Sequence, residues 1–586
     1  MPYLRATKRG GAAFHAVLCA FIPSTVSMTN KDVARAFRET AKLIELTGGN
    51  SFRAQAFSRA ARTIRGLEEP VAQYAEDDTL MSIDGIGDGI AADIRSVLAR
   101  GSFDLRDELL NAVPTGLLDV LKVKGLGTKK VRTLWDELGI TSLDTLEAAA
   151  QADRITSLRG FGQKTQDKIL ENVEQLRRYQ RYTRYAEAHQ AVAPLFEALE
   201  THEAVHNVAA AGPFRRAMEV VEQVDLLVAA SEREPVLDVL GNYTAGLETT
   251  EDTVRGQLDD GVPVALHWAN PNDWGRALWR ATGPHAHIEA HPSSAATNVT
   301  TEAALYEAAG ADWIPPELRD QEDAWTLATE GRLPALITPN DLRGTVHNHS
   351  TYSDGAHTLH AMAKAARDRG LEYFGIADHS QSLQVASGLS PDEVRAQRDE
   401  VQRLNEQFAD DGQPFRIFHG IESDILRDGS LDYDDDVLAL FDYVVASVHV
   451  GMNMPEAEAT ERVLRAVRNP HTTILGHPTG RLLLVREGYP LDHEKIIDAC
   501  AAHDVALELN ANPYRLDVDW RWVRYARDKG VLLSINPDAH ATDELDNMRW
   551  GVSVARKGGL TAAGCLNALS LDDFAAWLDA RQPTAA

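Results

Sequence analysis

The stretch GTVHNHSTYSDG, residues 344–355, constrains the fold of this chain more than any other. It reads as a short strand running into a loop that carries His347, His349 and Asp354. Side chains alternate along a strand, so His-x-His points two imidazoles the same way. The carboxylate that follows adds a hard oxygen donor, and the mixture suits Zn²⁺, Mn²⁺ or Fe²⁺. Alone, the trio reads equally well as ordinary loop polarity. Its weight comes from repetition. YFGIADHS ends in Asp378 and His379, FRIFHGIESDI carries Glu422 and Asp424, and YVVASVHV ends near His449. TILGHPTG reaches His477, VALELNANP carries Glu508 and Asn510, and VLLSINPDAH reaches Asp538 and His540. Amphipathic helical patterns such as LHAMAKAARDRG lie between these apolar runs. Strands alternating with helices imply a parallel sheet, and the C-terminal ends of its strands are where a βα-barrel builds a site. A single buried histidine is ordinary core furniture. A whole set at equivalent strand ends has no inexpensive structural role, because burying unpaired polar groups is costly.

These residues resemble the PHP (polymerase and histidinol phosphatase) phosphoesterase family. HNHSTYSDG, ADHS, GIESDI, SVHVG, LGHPTGRLLL, NANPYRLD and NPDAH stand in order between about residues 344 and 578. The resemblance implies a distorted seven-stranded barrel with a trinuclear metal centre. The implied ligands are His347, His349, Asp354, His379, Glu422, His449, His477, Asp538 and His540. Mn²⁺ or Zn²⁺ is the expected metal, with Fe²⁺ a third candidate. LGHPTGRLLL and ELDNMRWGVSVARKG resemble the branch in which this domain is fused to bacterial and archaeal family X DNA polymerases.

At 586 residues the chain is too long for one core. No apolar run is long enough to span a bilayer. Cys19, Cys500 and Cys565 are scattered, which implies neither a disulfide framework nor a thiolate site, and a reducing cytoplasm is the expected compartment. The net charge of −28 argues against a generic nucleic-acid binder. It fits either a protein that does not bind DNA or an acidic surface that keeps local basic patches. Composition does not choose between them, and the motifs below favour the second.

Residues 1–28 form an N-terminal extension. Arg5, Lys8 and Arg9 followed by GGAAFHAVLCAFIPS have some look of a signal peptide. The preferred reading is an upstream start, with Met28 the natural beginning. From Thr29 two helical patterns follow, the first opened by Asn30 and stopped by Gly48. Three short Gly-x-Gly turns come next, each between helical patterns: Gly85 and Gly87, Gly125 and Gly127, Gly160 and Gly162. Together they resemble helix–hairpin–helix motifs. Such glycines let backbone N–H groups approach a phosphate at a helix N-terminus, which reads DNA backbone and not base sequence. Lys129, Lys130, Arg132 and Lys164 add cations behind two of them. The competing reading is three plain helix turns with solvated charges.

The family X resemblance covers about residues 29–340 and ends on WIPPELRD. It implies a helix–hairpin–helix, 8-kDa-like domain at 29–105 and a further hairpin and fingers region at 106–185. A nucleotidyltransferase-like palm and thumb follow at 186–325, and a linker at 326–343 leads to the barrel at 344–586. The expected fold class is multidomain: α-helical, then α+β, then α/β with a distorted (βα)7 barrel. In the family, two palm strands carry three metal-binding aspartates. Here those positions are Gln223, Asp225 and Ala265. The triphosphate loop Gly-Ser-x-Arg-Arg appears as Gly212, Pro213, Phe214, Arg215 and Arg216. The nucleotide-pocket run Tyr-Phe-Thr-Gly-Ser appears as Arg280, Ala281, Thr282, Gly283 and Pro284. The family's Schiff-base lysine is matched only by Gly89 and Asp93, so lyase activity does not carry over.

The expected protein binds gapped or nicked DNA and cleans 3′ ends, or acts as a 3′–5′ exonuclease, through its metal barrel. It is expected to be a monomer in base excision or other DNA repair, with no membrane partner and with polymerase activity weak or lost. Mg²⁺ or Mn²⁺ would serve any residual synthesis. The alternatives are a working gap-filling polymerase, a non-catalytic DNA scaffold and a small-molecule phosphatase. Arg481 and Arg515 are candidate phosphate contacts, with surface salt bridging an equal alternative.

Overall fold

The computed structural model describes residues 28–67, 69–258, 260–290, 298–410 and 414–581. The readings of the N-terminal extension and of Cys19 lie outside these residues. Contacts divide the described residues into two compact units, one of them ending at Arg181. No helix is long and apolar enough to cross a membrane.

The unit that ends at Arg181 is helical among its described residues. Thr29 caps the helix Asn30–Leu46 through a capping box, and Asn50 caps Ser51–Arg65. Their apolar stripes meet at Phe37, Phe57 and Phe103, whose rings lie 5.3–5.6 Å apart. A second core gathers Leu43, Leu46, Leu117, Val131, Leu134, Ile169 and Val173.

In the other unit, β1 (Thr183–Arg184) pairs with β3 (Val220–Val221). The palm sheet contains β2 (Val205–Ala211), β4 (Val224–Ala230), β5 (Thr244–Thr249), β6 (Thr253–Leu258) and β7 (Pro263–Trp268). Their order is β2-β4-β7-β6-β5, and β4 runs parallel to β7 with Asp225 opposite Ala265. Residues 326–343 are packed against the barrel. Ile337 is buried and donates its N–H to Leu560 O.

Seven parallel strands make the barrel sheet: β8 (Gly344–Thr345), β9 (Tyr373–Ile376), β10 (Arg416–Asp424), β11 (Tyr443–Ser447), β12 (Ile474–Leu475), β13 (Ala506–Asn510) and β14 (Leu533–Asn536). They lie in sequence order. A bridge between Asn348 and Ala539 ties the first strand's extension to the last and nearly closes the barrel. Every residue of β9, β11, β13 and β14 is buried, as expected for parallel strands covered on both faces. The barrel floor is filled by Tyr443, which donates to Ile376 O at 2.7 Å. A Cβ at Gly375 or Gly420 would collide with that ring, so these strand glycines make room for it. The filled floor leaves the strands' C-terminal ends as the open face.

Candidate metal centre

All nine donors expected from the sequence converge at that face. Glu422, on β10, is the hub. Its Oε1 lies 2.8 Å from His477 Nε2, 3.2 Å from His449 Nε2 and 3.3 Å from His347 Nε2. Its Oε2 lies 2.8 Å from His379 Nδ1 and 3.8 Å from His349 Nε2. Asp538, just past β14, places Oδ1 3.1 Å from His349 Nε2 and 3.7 Å from His347 Nε2. Asp354 Oδ1 sits 3.3 Å from His540 Nε2 and 3.5 Å from His379 Nε2. Three overlapping groups have ligand atoms within 4.8 Å of one another: His349, Asp354, His379 and His540; His347, His349 and Glu422; His379, Glu422 and His449.

The donors fit divalent cations. Nε2 of His347, Nδ1 of His349, Nδ1 of His379 and Oε2 of Glu422 are buried without a hydrogen-bond partner, and groups left so are costly. The short approach of His379 Nδ1 to Glu422 Oε2 therefore lacks hydrogen-bond geometry. Electrostatics agree. Burial opposes charging the Glu422 and Asp538 carboxyls, yet the surrounding imidazoles hold both well below the usual range. Burial likewise opposes protonation of His449 and His540, but Glu422 and Asp424 lift the first to about 10, and Asp354 and Asp538 lift the second to about 9. His349, buried beside His540 and His379, falls to about 3. The carboxylates thus draw positive charge into the cavity, and bound metal ions would take the place of those protons.

Four further residues, Glu508, Asn510, Asp424 and Asp378, hold the donors in place. The sequence reading put Glu508, Asn510 and Asp424 at strand ends without giving them roles. Glu508 is fully buried, and its Oε1 lies 2.6 Å from His347 Nδ1. A carboxylate oxygen accepts, so Nδ1 carries the proton and Nε2 is left facing Glu422. Oε2 of Glu508 accepts the His477 backbone N–H at 2.6 Å, and Asn536 and Asn510 also donate to this carboxylate. Asn510 donates as well to Asp538 Oδ2 at 3.0 Å. Asp424 does for His449 what Glu508 does for His347, at 2.7 Å from Nδ1. Asp378 accepts from Ser350 N, Ser350 Oγ, Ser353 Oγ and Gln397 Nε2, which pins the loop between His349 and Asp354. The signal for Asp424 was its spacing: it stands two residues from Glu422 on one strand, hence on the same face. Glu508→Gln leaves one acceptor oxygen for four converging donors. It is expected to weaken metal binding about 10–100-fold, measured by chelator competition; unchanged affinity would remove Glu508 from this role.

The three glycine turns of the helical unit share one geometry. Gly85, Gly125 and Gly160 have φ of +76°, +88° and +91°, a region that glycine enters without strain. Gly87, Gly127 and Gly162 are the N-caps of Asp88–Arg100, Thr128–Leu138 and Gln163–Gln180, and none has a side-chain cap. No N-cap side chain thus occupies the first-turn N–H groups, although the N–H of Thr165 turns back to Gly162 O at 2.8 Å, and such helix starts favour an anion. Lys129 and Lys164 are exposed, and Lys130 lies over the Phe161 ring at 5.8 Å. The first turn is flanked instead by exposed Asp84 and Asp88.

Residues 28–103 match the family described as helix-hairpin-helix domain, 117–174 the SAM-like helix-hairpin-helix tandem, and 345–512 the PHP domain. Over 575 residues the chain is 35% identical to the DNA polymerase/3′-5′ exonuclease PolX of Bacillus subtilis (strain 168), covering 94% of this chain and 99% of that protein. The chain belongs to the PolX family. Shorter relatives cover the barrel region: a probable phosphatase of Edwardsiella ictaluri is 30% identical over 233 residues, spanning 38% of this chain and 89% of its own length. One of Thermoanaerobacter sp. (strain X514) is 24% identical over 232 residues, spanning 38% and 88%.

The palm of this PolX chain is built differently from its barrel. Asp225 Oδ1 accepts from Gln223 Nε2 at 2.7 Å and lies 3.0 Å from His267 Nε2. Ala265 is buried and offers no donor atom. Among the described residues, no group of three His, Cys, Asp or Glu donors gathers there. Arg215 and Arg216 are committed elsewhere. Arg215 makes a two-pronged pair with buried Glu302, at 2.9 and 2.7 Å, which Arg319 also contacts at 2.8 Å. Arg216 pairs with Asp320 at 3.1 Å and also donates to Thr282 O. Buried Lys557, from the barrel, contacts the same Asp320. Arg481 is likewise engaged, by Asp519 at 2.7 Å and Arg515 O at 2.9 Å. Arg515 keeps a place at the metal centre, with Nε 3.4 Å from Asp538 Oδ2.

Proposed function

We propose that this PolX chain holds gapped or nicked DNA through its glycine turns and hydrolyses phosphodiesters at 3′ ends in the barrel, while its palm no longer extends primers. The observation that carries this reading is the convergence of nine donors on one face, with orphaned atoms among them. The three overlapping donor groups favour three metal positions, with His347, His349, Asp354, His379, Glu422, His449, His477, Asp538 and His540 as ligands. Nitrogen and carboxylate donors without thiolate favour Mn²⁺ or Zn²⁺, with Fe²⁺ next. Such ions would supply charge to polarise a phosphoryl group and to acidify a water. Glu508 and Asp424 keep the ring nitrogens turned inward, and Arg515 adds a fixed positive charge beside Asp538 for the substrate's phosphate. The Bacillus relative's name couples polymerase and 3′-5′ exonuclease. That whole-length similarity favours one second reading, a gap-filling polymerase, and the palm side chains weigh against it.

The test is end-labelled gapped DNA incubated with the Mn²⁺-loaded protein, with and without dNTPs. Shortening from the 3′ end in both supports the proposal; extension with dNTPs and no shortening without them overturns it. For the glycine turns, replacing Lys129, Lys130 or Lys164 by alanine is expected to weaken binding evenly across sequences. Each replacement should lower the salt slope by about one. An affinity loss confined to certain sequences would place these lysines at bases.

A further inference from the structure

Eight large apolar side chains stand exposed among the described residues, and four of them lie on loops that follow donor-bearing barrel strands. Val385 follows His379, Val450 follows His449, Val485 follows His477, and Tyr514 follows Glu508 and Asn510. The last three loops touch. Met452 packs on Gly480, and Leu483 donates its N–H to Tyr514 O at 2.7 Å. Exposed apolar groups gathered at one mouth mark a binding surface.

Tyr514 is the best-built member. The guanidinium of Arg184 lies over its ring, 4.1 Å from the centroid. Arg184 is itself anchored by Leu483 O at 3.1 Å and by Glu187. One face of the ring is thus propped and fixed, yet the residue remains 49% exposed. The next residue, Arg515, reaches Asp538 of the metal centre. Arg486, on the loop that carries Val485, donates from Nε to Gly480 O at 3.0 Å. A flat exposed ring beside Arg515, next to a candidate phosphodiester-cleaving centre, matches a strand end in chemistry: the base has a π-face and the linkage is anionic.

We infer that Tyr514, propped by Arg184, is a stacking platform for the unpaired 3′-terminal base of the DNA strand whose phosphodiester reaches the metal centre past Arg515. This rests on the phosphoesterase reading above and adds the way the strand end is held. The platform makes the barrel select frayed or single-stranded 3′ ends over paired ones, because a base must leave the duplex stack to lie on the ring.

Two measurements on the full chain test it. The first uses a single-stranded oligonucleotide with 2-aminopurine at its 3′ terminus, in the His349→Ala background to stop hydrolysis. Binding is expected to quench the terminal fluorophore with Tyr514 or with Tyr514→Phe, and to leave it bright with Tyr514→Ala. The second is steady-state hydrolysis of unlabelled single strands by the Mn²⁺-loaded protein. Tyr514→Ala is expected to raise KM at least about fivefold, the lower end of what stacking one base on an aromatic ring contributes, with kcat kept and Tyr514→Phe restoring KM. Equal quenching by all three proteins overturns the platform. So does Tyr514→Ala shifting the sedimentation of a dimer to monomer with quenching unchanged, which would assign the patch to a second copy of the chain. Failure of the wild-type protein to hydrolyse both the oligonucleotide and bis(p-nitrophenyl) phosphate would overturn the phosphoesterase reading instead, and the quenching result would still decide the platform.

Discussion

His349→Ala and Asp538→Asn are each expected to lower phosphodiester hydrolysis by at least about a thousandfold, with little change in the thermal stability of the metal-free protein. A thousandfold corresponds to about 4 kcal/mol of transition-state stabilisation, a modest share of what clustered divalent ions supply by polarising the phosphoryl group and activating water. His349 belongs to two of the three donor groups, so its loss disturbs two candidate metal positions at once. Asp538 faces His347 and His349 with one oxygen and Asn510 and Arg515 with the other. Asparagine is the informative replacement there. Asp538 has φ of +52°, a left-handed conformation that Asp and Asn tolerate better than most residues. The amide thus keeps the backbone and shape while removing the charge. Fold is expected to survive because both residues contact other donors, while the barrel floor below is packed by Tyr373, Phe418, Tyr443 and Phe574. Metal content by mass spectrometry and unfolding by circular dichroism, read beside nuclease activity, decide the matter. Full activity of either variant at limiting Mn²⁺ would falsify the assignment of these donors.

In the same His349→Ala background, where degradation cannot mask synthesis, primer extension with Mg²⁺ or Mn²⁺ is expected to be absent or reduced by three orders of magnitude or more. Phosphoryl transfer in a palm needs two cations held by carboxylates against the attacking and leaving oxygens. Only Asp225 remains, and its Oδ1 accepts from Gln223 and lies beside His267. Ala265 stands opposite Asp225 on β7, where the third carboxylate is missing. Losing about 4 kcal/mol already slows the step a thousandfold, and two absent carboxylates are expected to cost about that much. Glu222 is exposed and adjoins the site, but a one-residue shift in an extended segment sends a side chain to the other face. The arginines that the family uses for a triphosphate are held here by Glu302 and Asp320. Freeing Arg215 would break a two-pronged pair in a buried cluster with Glu302 and Arg319, and freeing Arg216 would break a contact to the Asp320 that Lys557 also reaches. Robust dNTP incorporation by this variant would restore the gap-filling reading.

Some of this protein is written in local pattern. Period-two spacing put Glu422 with Asp424 and His347 with His349 on shared faces. Alternating strands and helices announced parallel strands, the PHP resemblance implied the barrel, and Gly-x-Gly between helical runs announced turns, which the structure builds with left-handed backbone at Gly85, Gly125 and Gly160. The family X resemblance, in turn, drew attention to Gln223 and Ala265 as uncharged residues where that family carries aspartates. The shared faces and the turns depend on neighbours within a few residues, so composition and spacing suffice.

The tertiary structure decided which partner each charge takes. Nothing near Glu422 in sequence says that it faces five imidazoles from four other strand ends and loops, nor near Glu508 that it orients His347 across 161 residues. Arg215 and Arg216 read as phosphate ligands by resemblance, and Arg481 read equally as a phosphate contact or a salt-bridge partner; they are bound to Glu302, Asp320 and Asp519, from 87, 104 and 38 residues away. A guanidinium pairs with whichever carboxylate or phosphate the fold brings within reach, and buried charge must be paired where it lies. That choice belongs to packing between distant segments, which spacing along the chain does not record.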